Sequence, residues 1–205
     1  MKLNKNRELF VAIIFSIIVI LTGLYFTIKG EYEKIFRLGL TIVTIFGAYL
    51  LYIKSFLRGS KIIYYINITF IFLSMYLASG LNFYGIPNYD KFLHLLSGAV
   101  IAIIGYVLFL YLTNEKSRKE MKSLTGVIFV IIFATAAAGG WEIWEFTTDK
   151  LFGLNAQNGS LVDTMSDIIC GTIVGIITSI PIYFHSIGKN IKFIDKLIEE
   201  IEENK

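Results

Sequence analysis

Cysteine occurs once, at Cys170 inside an apolar run, so an intrachain disulfide is impossible and a cysteine-built metal cluster is excluded. The residue reads as a small packing side chain. The chain contains no His-Glu-x-x-His, no Gly-x-Ser-x-Gly and no glycine-rich phosphate loop, so the familiar hydrolase and nucleotide signatures are absent. Charge is sparse as well. Charged residues make up 17% of the chain and the net charge is +3, with the basic residues scattered between apolar runs rather than gathered on a stripe. Nucleic acid is therefore not an expected partner.

What is present is apolar length. The 205 residues are 55% hydrophobic with a mean hydropathy of +0.66, too apolar for a soluble domain of this size. Six runs approach the roughly 20 residues that cross a bilayer: about Leu9 to Ile28, Ile35 to Ile53, Ile62 to Ser79, Phe92 to Thr113, Leu124 to Glu145 and Val162 to Phe184. The expected fold is all-α, a polytopic membrane bundle of six transmembrane helices over 1–186, with its polar site in the 90–175 half and a cytoplasmic amphipathic tail at 187–205. The first run follows Lys2, Lys5 and Arg7 as a signal peptide would, but it is long and lacks a small-residue cleavage pattern, so it reads as an uncleaved helix.

Loop charge sets the expected orientation. With the N-terminus inside, 14 of the 19 basic residues fall on the cytoplasmic side, leaving only Lys29, Lys34, Arg37, Lys91 and Lys150 outside. That asymmetry places both termini in the cytoplasm of a multi-pass protein of the bacterial inner membrane. In the tail, Ile194, Leu197, Ile198 and Ile201 form an apolar stripe between charges. Such a helix lies on the inner surface, pairs with a partner, or is simply a solvated exit helix.

The second half carries polar and small residues at helical intervals. Asp90, His94, Gly98 and Ala102 are spaced by four, as are Asp163, Asp167, Gly171 and Gly175, while Ala134, Ala138, Glu142 and Glu145 follow a similar rhythm. Spacing by four keeps residues on one slowly drifting face of a helix. Each stripe is small towards the cytoplasm and polar towards the outside. Small residues let helices approach closely in lipid, so three such stripes facing one another would present four or five carboxylates and an imidazole to a common external pocket.

Each residue also has a plainer reading. Asp90, after Pro87 and Asn88, fits a helix N-cap; Ser160 with Asp163 fits a capping box; Glu145 fits a solvated carboxylate beside Trp144. Trp141 and Trp144 suit an interfacial aromatic belt. Asn158-Gly159-Ser160 reads first as a turn and second as a glycosylation acceptor. Arg37 either snorkels or pairs with the carboxylates, and His185 sits at the opposite membrane face. Asp167 and Glu142 are the hardest to explain away, because they sit within apolar runs, where an ionised group is costly.

Carboxylates crowded into a poorly hydrated pocket need a divalent cation, shared protons, or Arg37 and Lys91 as counter-ions. Oxygen-rich ligation with one imidazole suits Mg²⁺, Mn²⁺, Ca²⁺ or Zn²⁺. Three functions stay open on this basis. In the first, Asp90, His94, Glu142, Glu145, Asp163 and Asp167 form a metal site, and His94, Glu142 and Asp167 act on an envelope lipid or lipid-linked headgroup. The second is a proton- or cation-coupled transporter. The third is a non-catalytic membrane module with its carboxylates paired to Arg37 and Lys91.

The sequence DKFLHLLSG (90–98), then WEIWEF (141–146), then a loop with Gln157 and DTMSDIICGTIVG (163–175) resembles the bacterial YjdF-like integral membrane proteins. More distantly it is similar to the VanZ-like family, which has an Asp-Lys-x-x-His segment, a Glu and Gln region and an Asp-rich last helix with spaced glycines. The Asn and Arg around that last helix in the VanZ-like pattern are missing here, so the resemblance implies no glycopeptide-resistance function. It covers about 85 residues and implies a membrane fold with these polar positions, not a reaction.

Overall fold

The computed structural model describes residues 5–153, 157 and 159–204, and among them every regular element is a helix. Six are long and apolar enough to cross a membrane. The chain is a multi-pass membrane protein. Lys2 and Asn158, which entered the sequence reading, lie outside the described residues. The chain divides into two compact units, 1–93 with 197–205, and 94–196.

The first unit contains α1 (Lys5–Lys29), α2 (Glu33–Lys54) and α3 (Lys61–Ile71), the last continuing as π-helical turns over Phe72–Gly80. Gly30, at φ 76°, ends the first helix, and Ser60 caps α3 by accepting from the Ile63 amide. Large side chains fill the core. Ala12, Phe15, Val19 and Phe26, at helical spacing on α1, are buried with Leu38, Ile45 and Tyr52 of α2 and with Tyr64, Ile68, Ile71 and Tyr76. The Phe15 ring meets Phe72 at 5.8 Å and Tyr76 edge-on at 5.9 Å. The opposite face of α1, with Phe10, Ile14, Ile17, Leu21 and Leu24, is exposed, as a lipid-facing surface requires.

The second unit is built on α4 (Tyr89–Leu112) from His94 onward, the short α5 (Glu115–Glu120), α6 (Leu124–Phe152) and α7 (Leu161–Ser186). Here glycine fills the contacts. A Cβ added at Gly98 would stand 2.7 Å from the Gly171 carbonyl oxygen and 2.9 Å from its Cα, so α4 and α7 touch backbone to backbone. A Cβ at Gly171 would meet Ala138 Cβ at 3.0 Å, and one at Gly175 would meet Ala134 Cβ at 2.7 Å. Four residues forward on α7 therefore match four residues back on α6, the register of an antiparallel pair. One further step sets Asp167 opposite Glu142.

Two features depart from the sequence reading. The fifth span ends at Glu145 by hydropathy, but α6 runs on to Phe152 and stops at Gly153, which takes φ 66°. At about 1.5 Å per residue its 29 residues rise about 44 Å, beyond the roughly 30 Å of hydrocarbon. Polar Thr147, Thr148, Asp149 and Lys150 lower hydropathy without breaking a helix. The C-terminal α8 (Lys192–Glu202) buries its apolar stripe, Ile194, Leu197 and Ile201, against the chain itself. Its Glu200 Oε2 accepts from Ser60 Oγ at 3.0 Å and from the Ile62 amide at 3.1 Å, a carboxylate on the N-terminal end of α3.

Candidate metal centre

The site is a consequence of the glycine contacts. His94 lies one turn before Gly98 on α4, and Asp167 one turn before Gly171 on α7. Because those glycines touch, side chains one turn earlier on each helix meet. His94 Nε2 stands 3.7 Å from Asp167 Oδ2, with Asp167 only 3% exposed. That separation is too long for a hydrogen bond, but it suits two ligands of one ion. Donors about 2.1 Å from a common cation lie about 3.0 to 4.2 Å apart, from cis to trans. Helix α4 is unbroken back to Tyr89 and carries Asp90 one turn before His94. One donor atom each from Asp90, His94 and Asp167 lies within 4.8 Å of the others.

Glu142 enters from α6, 4% exposed and within electrostatic reach of both Asp167 and His94. A residue from the α6–α7 connection anchors it. The Gln157 side-chain amide donates to the Glu142 backbone carbonyl at 3.1 Å and to Glu142 Oε2 at 3.2 Å, while the Gln157 backbone amide donates to Asp149 Oδ2 at 3.1 Å. Thr164 of α7 approaches the same carboxylate. Glu142 Oε1, fully shielded from solvent, has no donor at hydrogen-bonding geometry among the described residues. A shielded carboxylate oxygen left in that state is costly, and a cation beside Asp167 would satisfy it.

The other candidates are placed as follows. Glu145 accepts from Trp141 Nε1 at 2.9 Å, and Asp163 follows the cap Ser160, whose Oγ accepts from the Asp163 amide at 3.2 Å. Neither belongs to the close trio of donors. Asp90 lies in the first turn of α4, after Asn88 in the left-handed region, rather than at the N-cap itself. Arg37 donates to the Ser79 carbonyl at 3.3 Å within the first unit, so its placement is explained without a carboxylate. His185 pairs with Asp195, Nε2 to Oδ1 at 2.9 Å, at the far end of α7. Gln157 is the contributor that sequence spacing did not select. It sits in a connection with no periodicity, and the motif resemblance was the one signal that pointed to it.

A family described as "Predicted membrane protein (DUF2238)" matches residues 9–187. The chain belongs to this family. The match takes in all six apolar runs, so the likeness extends beyond the YjdF-like motifs of spans four to six, with which it is consistent. An uncharacterized protein of Thermotoga maritima is 36% identical over 101 residues, which is 48% of this chain and 50% of that one. The alignment thus spans about half the length of that relative. No solved structure matches.

Proposed function

We propose that this protein is an integral protein of the bacterial inner membrane, with both termini cytoplasmic. Spans four to six then hold a divalent cation at the external face and act there on an envelope lipid or lipid-linked headgroup. The observation that carries the reading is the trio Asp90, His94 and Asp167, with donor atoms within 4.8 Å, beside a Glu142 oxygen that has no hydrogen-bond donor among the described residues. Two or three carboxylates with one imidazole form an oxygen-rich set suited to Mg²⁺, Mn²⁺, Ca²⁺ or Zn²⁺. Such an ion supplies Lewis-acid polarisation of a phosphoryl or carbonyl oxygen. The chain's own residues hold and orient: Gln157 fixes Glu142, and the Gly98–Gly171 contact sets the His94–Asp167 separation.

Elemental analysis of the purified protein tests this, comparing wild type with the double variant His94→Ala, Asp167→Ala. A stoichiometric divalent metal in the wild type that disappears from the folded double variant is the expected result. A metal-free wild type after loading with each of the four ions would overturn the cation reading.

A further inference from the structure

A second buried carboxylate lies in the first unit, outside everything assigned above. Glu8, one turn into α1, is 1% exposed. Tyr65 Oη donates to Glu8 Oε1 at a long 3.4 Å. Tyr64 Oη donates instead to the Glu8 backbone carbonyl at 2.7 Å, so its one proton is not available to the carboxylate. Glu8 Oε2 is shut off from solvent and has no hydrogen-bond partner among the described residues. The Tyr52 hydroxyl is also buried without a hydrogen-bond partner among the described residues; its residue is 1% exposed and its ring lies 5.1 Å from that of Tyr64.

Among the described residues, the charged groups facing this cluster are Arg7 and Glu200. Arg7 faces Tyr65 from the exposed side of α1. Glu200, which faces Tyr52, is a second carboxylate, engaged by Ser60 and the Ile62 amide. Tyr49 completes the surround, 6.3 Å from the Tyr52 ring and 6.4 Å from the Tyr64 ring. A buried carboxylate with one oxygen lacking a donor is disfavoured, and an ionisable side chain within a membrane span marks a working site by default.

We propose that Glu8 and Tyr52, enclosed by Tyr64 and Tyr65, form a second polar site that holds a single positive charge, either a proton or an alkali ion. The charge exchanges with the solution at the helix ends that carry Arg7, Lys54 and Lys61. Tyr52 suits both occupants. Its hydroxyl lies within electrostatic reach of Glu8 but not at hydrogen-bonding geometry with Oε2, so its oxygen would ligate an alkali ion seated between the two, with ring faces adding cation–π attraction, or accept from a protonated Oε2 once the side chains close that gap. Access is short: Tyr52 is two residues from the end of α2 and Tyr64 three from the start of α3.

The experiment uses the full chain in lipid nanodiscs, as wild type, Glu8→Gln and Tyr52→Phe. Infrared spectra seek the carbonyl stretch of a protonated carboxyl. Thermal unfolding is followed as Na⁺ or K⁺ replaces choline at constant ionic strength. A carboxylic-acid band that is absent in Glu8→Gln and displaced in Tyr52→Phe identifies the proton. A midpoint that rises several degrees at a hundredfold excess over half-saturation, and does so only in the wild type, identifies the alkali ion. Should Glu8→Gln fail to fold, the wild type and Tyr52→Phe still decide. A wild-type spectrum showing Glu8 as carboxylate, with unfolding indifferent to Na⁺ and K⁺, overturns the proposal.

Discussion

The two units solve the same packing problem with opposite materials. In the first, aromatic rings fill the space between helices: Phe15 against Phe72 and Tyr76, and Tyr52 against Tyr64. In the second, glycine and alanine remove that space, and at Gly98 and Gly171 the backbones themselves meet. Lipid tails are as apolar as leucine, so helix association in a bilayer depends on close packing and on polar contacts rather than on hydrophobicity. Rings satisfy that demand over a broad area. Small residues do so at short range, and they bring short side chains from different helices within reach of one another. An aspartate and a histidine one turn above a glycine–glycine contact meet for that reason, whereas the polar atoms of the first unit are long-reaching tyrosine hydroxyls around one glutamate.

The sharpest way to break this comparison is to insert bulk at the backbone contact. Gly98→Leu must displace α7, because even its Cβ would overlap Gly171. The expected cost is above about 3 kcal/mol, or loss of the folded protein, read as the unfolding midpoint in mild detergent. Removing a ring from the first unit is expected to cost less. Phe15→Ala leaves a cavity but forfeits little transfer energy in an apolar solvent, so about 2 kcal/mol is expected from the same measurement. Gln157→Ala removes an anchor of Glu142 while sparing the helix contacts. It is expected to leave the midpoint nearly unchanged and to weaken Mn²⁺ binding about tenfold, as loss of a residue supporting a ligand typically does. The smallest effect is expected at Gly47 on α2, where an added Cβ meets nothing within 4 Å. Gly47→Ala should shift stability by no more than about 0.5 kcal/mol. If Gly47→Ala cost as much as a substitution at Gly98, the distinction between the units would fail.

Much of the second unit was legible because its pattern is periodic. Residues spaced by four on three helices, small at one end and acidic at the other, specify both which faces meet and which polar groups lie one turn away. The match of Gly171 to Ala138 and Gly175 to Ala134 follows that arithmetic. What was not legible depends on depth and on contacts without period. Glu8 stands in a basic flank beside Lys5 and Arg7, and composition reports charge but not enclosure by tyrosines contributed by two other helices. Gln157 lies in a connection, where no spacing rule predicts a partner. Hydropathy ended the fifth span at Glu145, because it measures affinity for lipid and not continuity of a helix. The buried stripe of α8 was read correctly as apolar, but its own amphipathicity did not say what would cover it.

Electron paramagnetic resonance of Mn²⁺ added to the purified protein addresses the central claim most directly, because nitrogen hyperfine modulation reports whether an imidazole ligates the ion. The arrangement of His94 and Asp167 predicts one tightly held Mn²⁺ with nitrogen modulation. That modulation should vanish in His94→Ala, and binding itself should fall away in Asp167→Ala, with both variants still folded. Mn²⁺ that binds without nitrogen coupling, or that gives the same spectrum in wild type and His94→Ala, would contradict the account.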